Sequence, residues 1–193
     1  DWDALERLLP ALKKFKALPE GQLNQLSNSL LLASIARALN EPAAAEKLTA
    51  LWKKAQTHQR ENPDLVAAYA RALLQTGDAE GARRALEKAL MKCWDSQTVL
   101  CYGALEFGEE LANKQLLKAE SWQRSRPNDA DLLLTLARLS MRCKLWGKAR
   151  EYYATTLGLE GDAAAYAEYA GLLRGLGLDD EAEAATREAL SGT

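Results

Sequence analysis

Chemistry-bearing residues are scarce in this chain. Histidine occurs once in 193 residues, as His58, and cysteine occurs three times, as Cys93, Cys101 and Cys143, without a Cys-x-x-Cys spacing. These counts match neither a zinc site nor a disulfide framework, and no Ser, His and Asp set has the pattern of a catalytic triad. The cysteines lie in apolar helical stretches and are expected to be small core residues, while His58 is expected to be solvated or to cap a helix. The sequence therefore predicts no enzyme, no metal site and no resident cofactor.

Long apolar runs and alternating patterns are also missing. No stretch approaches the roughly 20 apolar residues that a membrane-spanning helix needs, and no sustained alternation predicts a β-strand. The formal net charge is only -2, which argues against a nucleic-acid partner. Ala, Leu, Glu, Arg and Lys dominate instead, and these residues favour helices.

Residues 130–157, ADLLLTLARLSMRCKLWGKAREYYATTL, have the pattern of one complete helical hairpin. Apolar residues recur at helical spacing on both sides of a break at Lys144 and Leu145. Each half is too short and too one-sided to be stable alone, so similar hairpins should lie beside it. Copies of the pattern do recur along the chain at a spacing of 33 or 34 residues. The copies start near Pro63, Ser96, Ala130 and Ala163.

Small residues recur where the two helices of each hairpin would cross, and they allow close approach. They are Ala82, Ala149 and Ala182 in the second helices, with the pairs Tyr69-Ala70, Tyr102-Gly103, Leu136-Ala137 and Tyr169-Ala170 in the first helices. This pattern resembles the tetratricopeptide repeat, a hairpin unit of about 34 residues. The copy near Ser96 departs from it, because Gln115 takes the Ala position and no Gly lies at the turn. A kinked or loosely packed hairpin is expected there.

The resemblance implies an all-α, right-handed superhelical solenoid of helical hairpins, with about eleven helices. Residues 63–193 would hold four repeats, and residues 1–62 would form irregular helices that comprise a partial repeat and a long hairpin. The helices expected in this first region cover residues 1–18, 22–39 and 43–61. No linker is long enough to separate domains, so one continuous array is predicted.

Two stretches carry a narrower resemblance, RPNDADLLLTLARLSMRCKLWGKAREYY and, near the start, WDALERLLPALKK. With them the chain resembles the soluble part of the HemY family, the tetratricopeptide proteins encoded in heme-biosynthesis operons of proteobacteria. The resemblance covers most of the chain and is sharpest in LWGKAR, from Leu145 to Arg150. The flavin-containing protoporphyrinogen oxidase that shares the name is a different protein.

Membership of that family implies a non-catalytic scaffold that brings proteins together in heme or porphyrin production, with heme-pathway enzymes as candidate partners. It also implies two membrane-spanning helices ahead of the repeats, a bacterial inner-membrane location for the full-length protein, and repeats that are soluble on the cytoplasmic side. One alternative is a carrier or sensor that binds heme or a porphyrin directly, although the Cys-x-x-Cys-His motif for covalent attachment is absent. The other is a generic adaptor unrelated to heme.

In the tetratricopeptide family the first helices of successive repeats line a concave groove. The residues that fall on groove positions are Arg71, Gln75, Phe107, Leu134, Arg138, Met141, Arg142 and Arg174. Arginine suits bidentate capture of carboxylates, so the predicted partner is an acidic or amphipathic peptide, with the propionates of a porphyrin as a less favoured ligand. The alternative is that these arginines are solvated or pair with acidic residues of the next repeat.

Arg138 and Arg142 are four residues apart and share one helical face. Exchanging both for glutamate is expected to abolish partner capture and to leave the melting temperature nearly unchanged. Capture is also expected to weaken as salt rises, because the charges are partly exposed.

Overall fold

The computed structural model describes residues 2–15 and 17–191, and the regular structure within them is α-helical. The twelve described helices are α1 (Trp2–Lys14), α2 (Glu20–Ala38), α3 (Ala44–Lys54), α4 (Thr57–Arg60), α5 (Pro63–Gln75), α6 (Ala79–Lys92), α7 (Ser96–Ala104), α8 (Glu109–Gln123), α9 (Ala130–Arg142), α10 (Trp146–Glu160), α11 (Ala163–Gly175) and α12 (Asp179–Ser191). The predicted all-α fold is confirmed.

The prediction of a single helix over residues 43–61 is wrong. This region forms two helices, so the described residues contain twelve helices where about eleven were predicted. It is divided into α3 and α4 at Ala55 and Gln56, whose ψ angles of 141° and 163° are extended. Gln59 stabilises the break, because its side chain accepts a hydrogen bond from the Gln56 N–H at 2.9 Å. The same side chain donates to the carbonyl and the hydroxyl of Ser27, both at 3.1 Å. The amide of this buried glutamine is therefore fully used inside the fold.

The predicted repeat starts coincide with the first residues of α5, α7, α9 and α11. Just ahead of each helix stands an Asn or Asp whose side-chain oxygen accepts a hydrogen bond from a backbone N–H of the first turn. These acceptors are Asn62, Asp95, Asp129 and Asp162. Caps of this kind satisfy a donor that the helix leaves unpaired and contribute about 1 kcal/mol each. The repeat period is thus also a period of helix caps.

Residues with a positive φ angle occur in the turns of the first, third and fourth repeats, as well as at Ala43 between α2 and α3 and at Gly108 between α7 and α8. Gly77 and Gly177 have φ angles of 87° and 74°, which glycine adopts readily, and Lys144 takes the equivalent place with a φ of 58°. Left-handed geometry costs a non-glycine residue about 1–2 kcal/mol. The sequence break at Lys144 and Leu145 therefore marks the turn without supplying its usual glycine.

The chain forms two compact units, Asp1–Thr98 and Val99–Thr193, and the boundary falls inside α7. The predicted single continuous array stays a prediction. In the first unit, α2 packs against α1, α3 and α5, while α5 packs against α6. Its core contains Leu48, Leu65, Val66, Ala82 and Leu86, all fully buried.

In the second unit, α9 packs against α8 and α10, α10 packs against α11, and α11 packs against α12. Ala149 lies in one core cluster with Tyr153 and Leu134, and Ala182 lies in another with Leu173. Ala149 and Ala182 have no exposed surface, as is also true of Ala82 in the first unit. Burial is the expectation for Ala149 and Ala182 as small residues at helix crossings, and it is confirmed.

The first helix of the second repeat is short. α7 has 9 residues, whereas α5, α9 and α11 have 13 each. After α7 the chain turns inward, so that Phe107 is buried at 5% exposure, and it enters α8 through Gly108, whose φ is 89°. The prediction of no glycine at this turn is therefore wrong, because Gly108 supplies one immediately ahead of α8.

Replacing Gly103 with alanine should lower the free energy of unfolding by about 1–2 kcal/mol, although alanine favours a helix by about 1 kcal/mol over glycine. A Cβ atom at Gly103 would lie 2.7 Å from the Thr135 hydroxyl and 3.0 Å from the Thr135 Cα. The matched change Gly171→Ala in α11 meets nothing within 4 Å and should be neutral or stabilising. Chemical denaturation of both variants tests the contact, and equal stabilisation by both would disprove it.

Candidate functional site

The predicted groove residues fall in both units. Arg71 and Gln75 are exposed on α5 of the first unit, one helical turn apart. The remaining six, which are Phe107, Leu134, Arg138, Met141, Arg142 and Arg174, belong to the second unit. Phe107 and Leu134 are only 5% and 6% exposed. These two apolar residues therefore lie in the core and do not offer a contact surface.

Arg138 is held by an acidic residue of the next repeat. Its Nε and Nη2 donate to the two carboxylate oxygens of Glu168 on α11, at 2.9 and 2.7 Å. The Tyr153 hydroxyl donates to the same carboxylate at 2.9 Å. The side chains of Arg138 and Glu168 are 21% and 36% exposed. Arg138 thus already makes, within the chain, the bidentate carboxylate contact that was predicted for a partner.

The pKa of Glu168 reflects these contacts. Burial would raise the pKa of this carboxyl, but the hydrogen bonds and charge of Arg138, with the Tyr153 hydroxyl, leave it below the ordinary value of 4.5. The hydrogen bond to Glu168 correspondingly raises the pKa of Arg138. Burial next to this carboxylate raises the pKa of Tyr153. The three groups form one coupled network that favours the ionised carboxylate.

Stability should therefore fall with acidification in a way that depends on Glu168. A carboxyl with a lowered pKa in the folded state stabilises the fold above its unfolded value of 4.5, and this contribution is lost as the pH falls through the folded pKa. Denaturant midpoints measured from neutral pH down to below 4 should show a shallower decline for Glu168→Gln and for Arg138→Gln than for the unchanged chain. An equally steep decline in Glu168→Gln would contradict the assignment.

Arg142 caps the short helix α7. Its Nη2 donates to the carbonyls of Gly103 and Ala104 at 2.6 and 3.0 Å, and its Nη1 donates to the carbonyl of Leu105 at 2.9 Å. Carbonyls of the last helical turn have no partner within their own helix. Burial lowers the pKa of the Arg142 guanidinium below its ordinary value, against the opposing charge of Glu106. The cation is therefore a structural element of the second unit.

Gln115 completes this cap from α8. Its Nε2 donates to the backbone carbonyl of Tyr102 and, at 3.5 Å, to that of Leu105. The Tyr102 hydroxyl in turn donates to the backbone carbonyl of Gln115 at 3.4 Å. Gln115 is 1% exposed. Its departure from the alanine of the repeat pattern therefore provides a buried NH2 group that donates to the end of α7.

These contacts change the expectation for the double exchange of Arg138 and Arg142 to glutamate. It would remove the cap of α7 and place two carboxylates beside Glu168 and the helix carbonyls, so the melting temperature should fall. The exposed arginines are better probes of binding. Arg71 lies on the surface of α5, and Arg174 on α11 donates to the Thr186 hydroxyl at 2.6 Å.

The structural roles of Gln115 and Arg142 were not predicted from the sequence. Pairing of the arginines with an acidic residue of the next repeat was one of the two stated alternatives and is confirmed for Arg138, but Glu168 was not named. A usable signal existed for Gln115, because a long polar residue at a position reserved for alanine needs a buried partner. For Glu168 the repeat pattern carries no signal, since the residue type at this position differs among the four first helices of this chain. Its role follows only from the packing of α9 beside α11.

The cysteines and the histidine differ partly from expectation. Cys101 is buried as predicted, but Cys93 is exposed and Cys143 is only partly buried. His58 is partly buried, and its Nε2 is enclosed without a hydrogen-bond partner, so it is neither solvated nor a cap through that atom. Across residues 2–15 and 17–191, no group of three His, Cys, Asp or Glu side chains could hold a metal ion. Among the same residues, none of the helices has both the length and the apolar character of a membrane span.

The geometry defines a protein built from repeated helical hairpins with small residues at the helix crossings. Residues 63–105, which contain α5, α6 and α7, match the family model described as the tetratricopeptide repeat. This match covers the first predicted repeat and the first helix of the second. No curated protein is significantly similar to the chain.

Solved structures share the fold over most of the chain. MamA from Desulfovibrio magneticus RS-1, from its residue 41 to its end, is 16% identical, and the match covers 86% of this chain and 94% of that one with a TM-score of 0.54. TTC0263, a thermophilic tetratricopeptide protein of Thermus thermophilus, is 21% identical, with coverage of 86% and 91% and a TM-score of 0.55. The chain therefore has the fold of tetratricopeptide solenoid proteins.

Proposed function

We propose that this chain is a non-catalytic scaffold that binds other proteins through the surfaces of its helical hairpins. The observation that supports the proposal is the fold, because stacked hairpins expose extended faces of first helices to partners. Proteins with this fold are typically non-enzymatic. Buried second-helix alanines allow close helix packing in the first, third and fourth repeats, so the exposed residues of their first helices are presented on a rigid support.

Each unit offers its own contact for an acidic partner segment. In the first unit Arg71 is exposed on α5, and in the second unit Arg174 is exposed on α11. In the second unit the Arg138–Glu168 pair is also open enough to solvent for an incoming carboxylate to compete with Glu168. Such competition gives modest affinity, because one ion pair replaces another, while contacts to the exposed Arg71 and Arg174 should weaken as salt rises. This is the behaviour of a scaffold that must release its partners.

The proposal extends to heme or porphyrin production, with heme-pathway enzymes as the proteins brought together. Its support is the resemblance to the HemY family, carried by LWGKAR and the surrounding stretch. On the same ground we propose that the full-length protein is tethered to the bacterial inner membrane with its repeats on the cytoplasmic side.

The function is tested by capture of purified heme-pathway enzymes on the immobilised full-length protein. At least one enzyme should be retained, less strongly as salt rises, and the double variant Arg71→Glu with Arg174→Glu should retain less. The matched control is Arg84→Glu with Arg187→Glu, which exchanges one exposed arginine in each unit on the second helices α6 and α12.

The outcomes separate the alternatives. Retention of none of these enzymes would reject the heme-pathway scaffold and leave a generic adaptor. Equal loss in the double variant and in its control would show that the first-helix arginines do not select the partner. A heme titration that gives a defined Soret shift at equal stoichiometry would favour a carrier or sensor instead.

A further inference from the structure

The first unit contains a cavity of about 590 Å³ between α3, α4, α5 and α6. Its apolar wall is formed by Trp52 of α3 and Tyr69 of α5, whose rings are stacked with centroids 4.2 Å apart and planes inclined by 8°. Trp52 remains partly exposed. We call this cavity the Trp52 pocket. Its volume lies within the range of about 300–1,000 Å³ that is typical of ligand sites.

The rim of the Trp52 pocket is positively charged. Lys53, Arg60, Lys88 and Lys92 line it, against a single carboxylate, Glu61, which gives a local charge of 4 − 1 = +3. The whole chain has a net charge of -2, so this cluster opposes the average. In the part of the chain that the structure describes, no carboxylate lies within ion-pair distance of the three lysines. The rim charge is therefore not neutralised by the protein itself.

Arg60 adds an unmet donor to this rim. Its Nη2 donates to the carbonyl of Lys53 at 2.6 Å, which fixes the guanidinium against the end of α3. Its Nε is enclosed and has no hydrogen-bond partner. A buried donor without an acceptor is unfavourable and uncommon. A small opening of this wall that admits a carboxylate oxygen would therefore be favourable.

We propose that the Trp52 pocket binds a short acidic segment of a partner protein that carries one aromatic anchor. The anchor stacks on the open face of Trp52, and the carboxylates on either side of it pair with Lys53 across the pocket and with Lys88 and Lys92 along α6. This proposal specifies the chemistry of one partner segment of the proposed scaffold, and it rests on that proposed function. The pocket uses neither Arg71 nor Arg174, so it is a separate surface.

The spacing of the charges favours a peptide over a single compact anion. Lys88 and Lys92 are four residues apart and follow one face of α6, while Lys53 lies on α3. Exposed lysines on two helices suit several separated carboxylates, whereas one phosphate needs donors that converge on a point. The aromatic wall adds an apolar contact that a simple anion would not use.

The test is fluorescence anisotropy with a short labelled peptide of aspartate and glutamate around one central tryptophan. Lys88→Glu with Lys92→Glu should weaken its binding by about tenfold or more, since attraction becomes repulsion at two positions. The matched control, Arg84→Glu with Lys114→Glu, changes the net charge equally at exposed residues outside the pocket and should have a much smaller effect. Helical circular dichroism of each variant verifies the fold.

Three outcomes would overturn the proposal. Equal weakening in the variant and in its control would show non-specific attraction. If the peptide bound equally well after alanine replaced its tryptophan, the aromatic anchor would not contribute to binding. Equally tight binding of inorganic polyphosphate would indicate an anion site instead. The two experiments are independent. If the synthetic peptide does not bind, the Trp52 pocket proposal is wrong, while the enzyme-capture result still stands. If the peptide binds but no enzyme is captured, only the proposed heme-pathway partners are wrong.

Discussion

Replacing Arg142 with methionine should lower the free energy of unfolding by about 2–4 kcal/mol, as measured by chemical denaturation. The substitution removes three charge-assisted hydrogen bonds to the carbonyls of Gly103, Ala104 and Leu105, each of which is worth more than a neutral bond. Methionine keeps most of the apolar stem of arginine, so the loss reports the guanidinium rather than the packing. Part of the energy is discounted because the side chain is 22% exposed.

Two further variants make this test specific. Arg142→Lys keeps the charge but presents a single nitrogen that cannot span three carbonyls, so it should fall between the unchanged chain and the methionine variant. Arg187→Met removes an exposed arginine of α12 and should change stability by no more than about 0.5 kcal/mol. If Arg142→Met behaved like Arg187→Met, the end of α7 would not depend on this cap.

The repeat starts could be predicted from sequence because their causes are local. A cap acts within three residues, as Asp129 does with Leu132, and the apolar spacing of a helix repeats within one turn. The buried alanines are equally visible, since a small residue at a fixed place in a period marks a helix crossing. The break between α3 and α4 was missed because only part of its cause is local. Gln59 accepts a hydrogen bond from Gln56, three residues away, but the same side chain is also held by Ser27, 32 residues away.

The candidate site was harder to predict for the same reason. The four-residue spacing placed Arg138 and Arg142 on one side of α9, but the groups that they contact are 30 and 37–39 residues away. The contacts of Arg142 depend on the early end of α7, and the contact of Arg138 depends on the position of α11 beside α9. A family pattern indicates on which side of its helix a residue lies. It gives no information on an acidic residue particular to this chain, such as Glu168.

Exchanging Ala149 or Ala182 for leucine should each lower the free energy of unfolding by ~1–3 kcal/mol through overpacking. Both alanines have no exposed surface, and each lies in a cluster of its own, with Tyr153 and Leu134 around the first and Leu173 beside the second. Extra carbons there force neighbouring side chains from their preferred rotamers or move the helices apart, because interiors are close-packed.

Matched controls lie on the same helices, since Ala154 of α10 and Ala184 of α12 are exposed. Leucine at either control position should change stability by no more than about 0.5 kcal/mol. Alanine and leucine both favour helices, and neither control position contacts the core. Denaturation of all four variants compares one buried and one exposed alanine per helix. If the buried pair were as stable as the exposed pair, Ala149 and Ala182 would not lie at helix crossings, and the 33-residue register that places them there would be wrong.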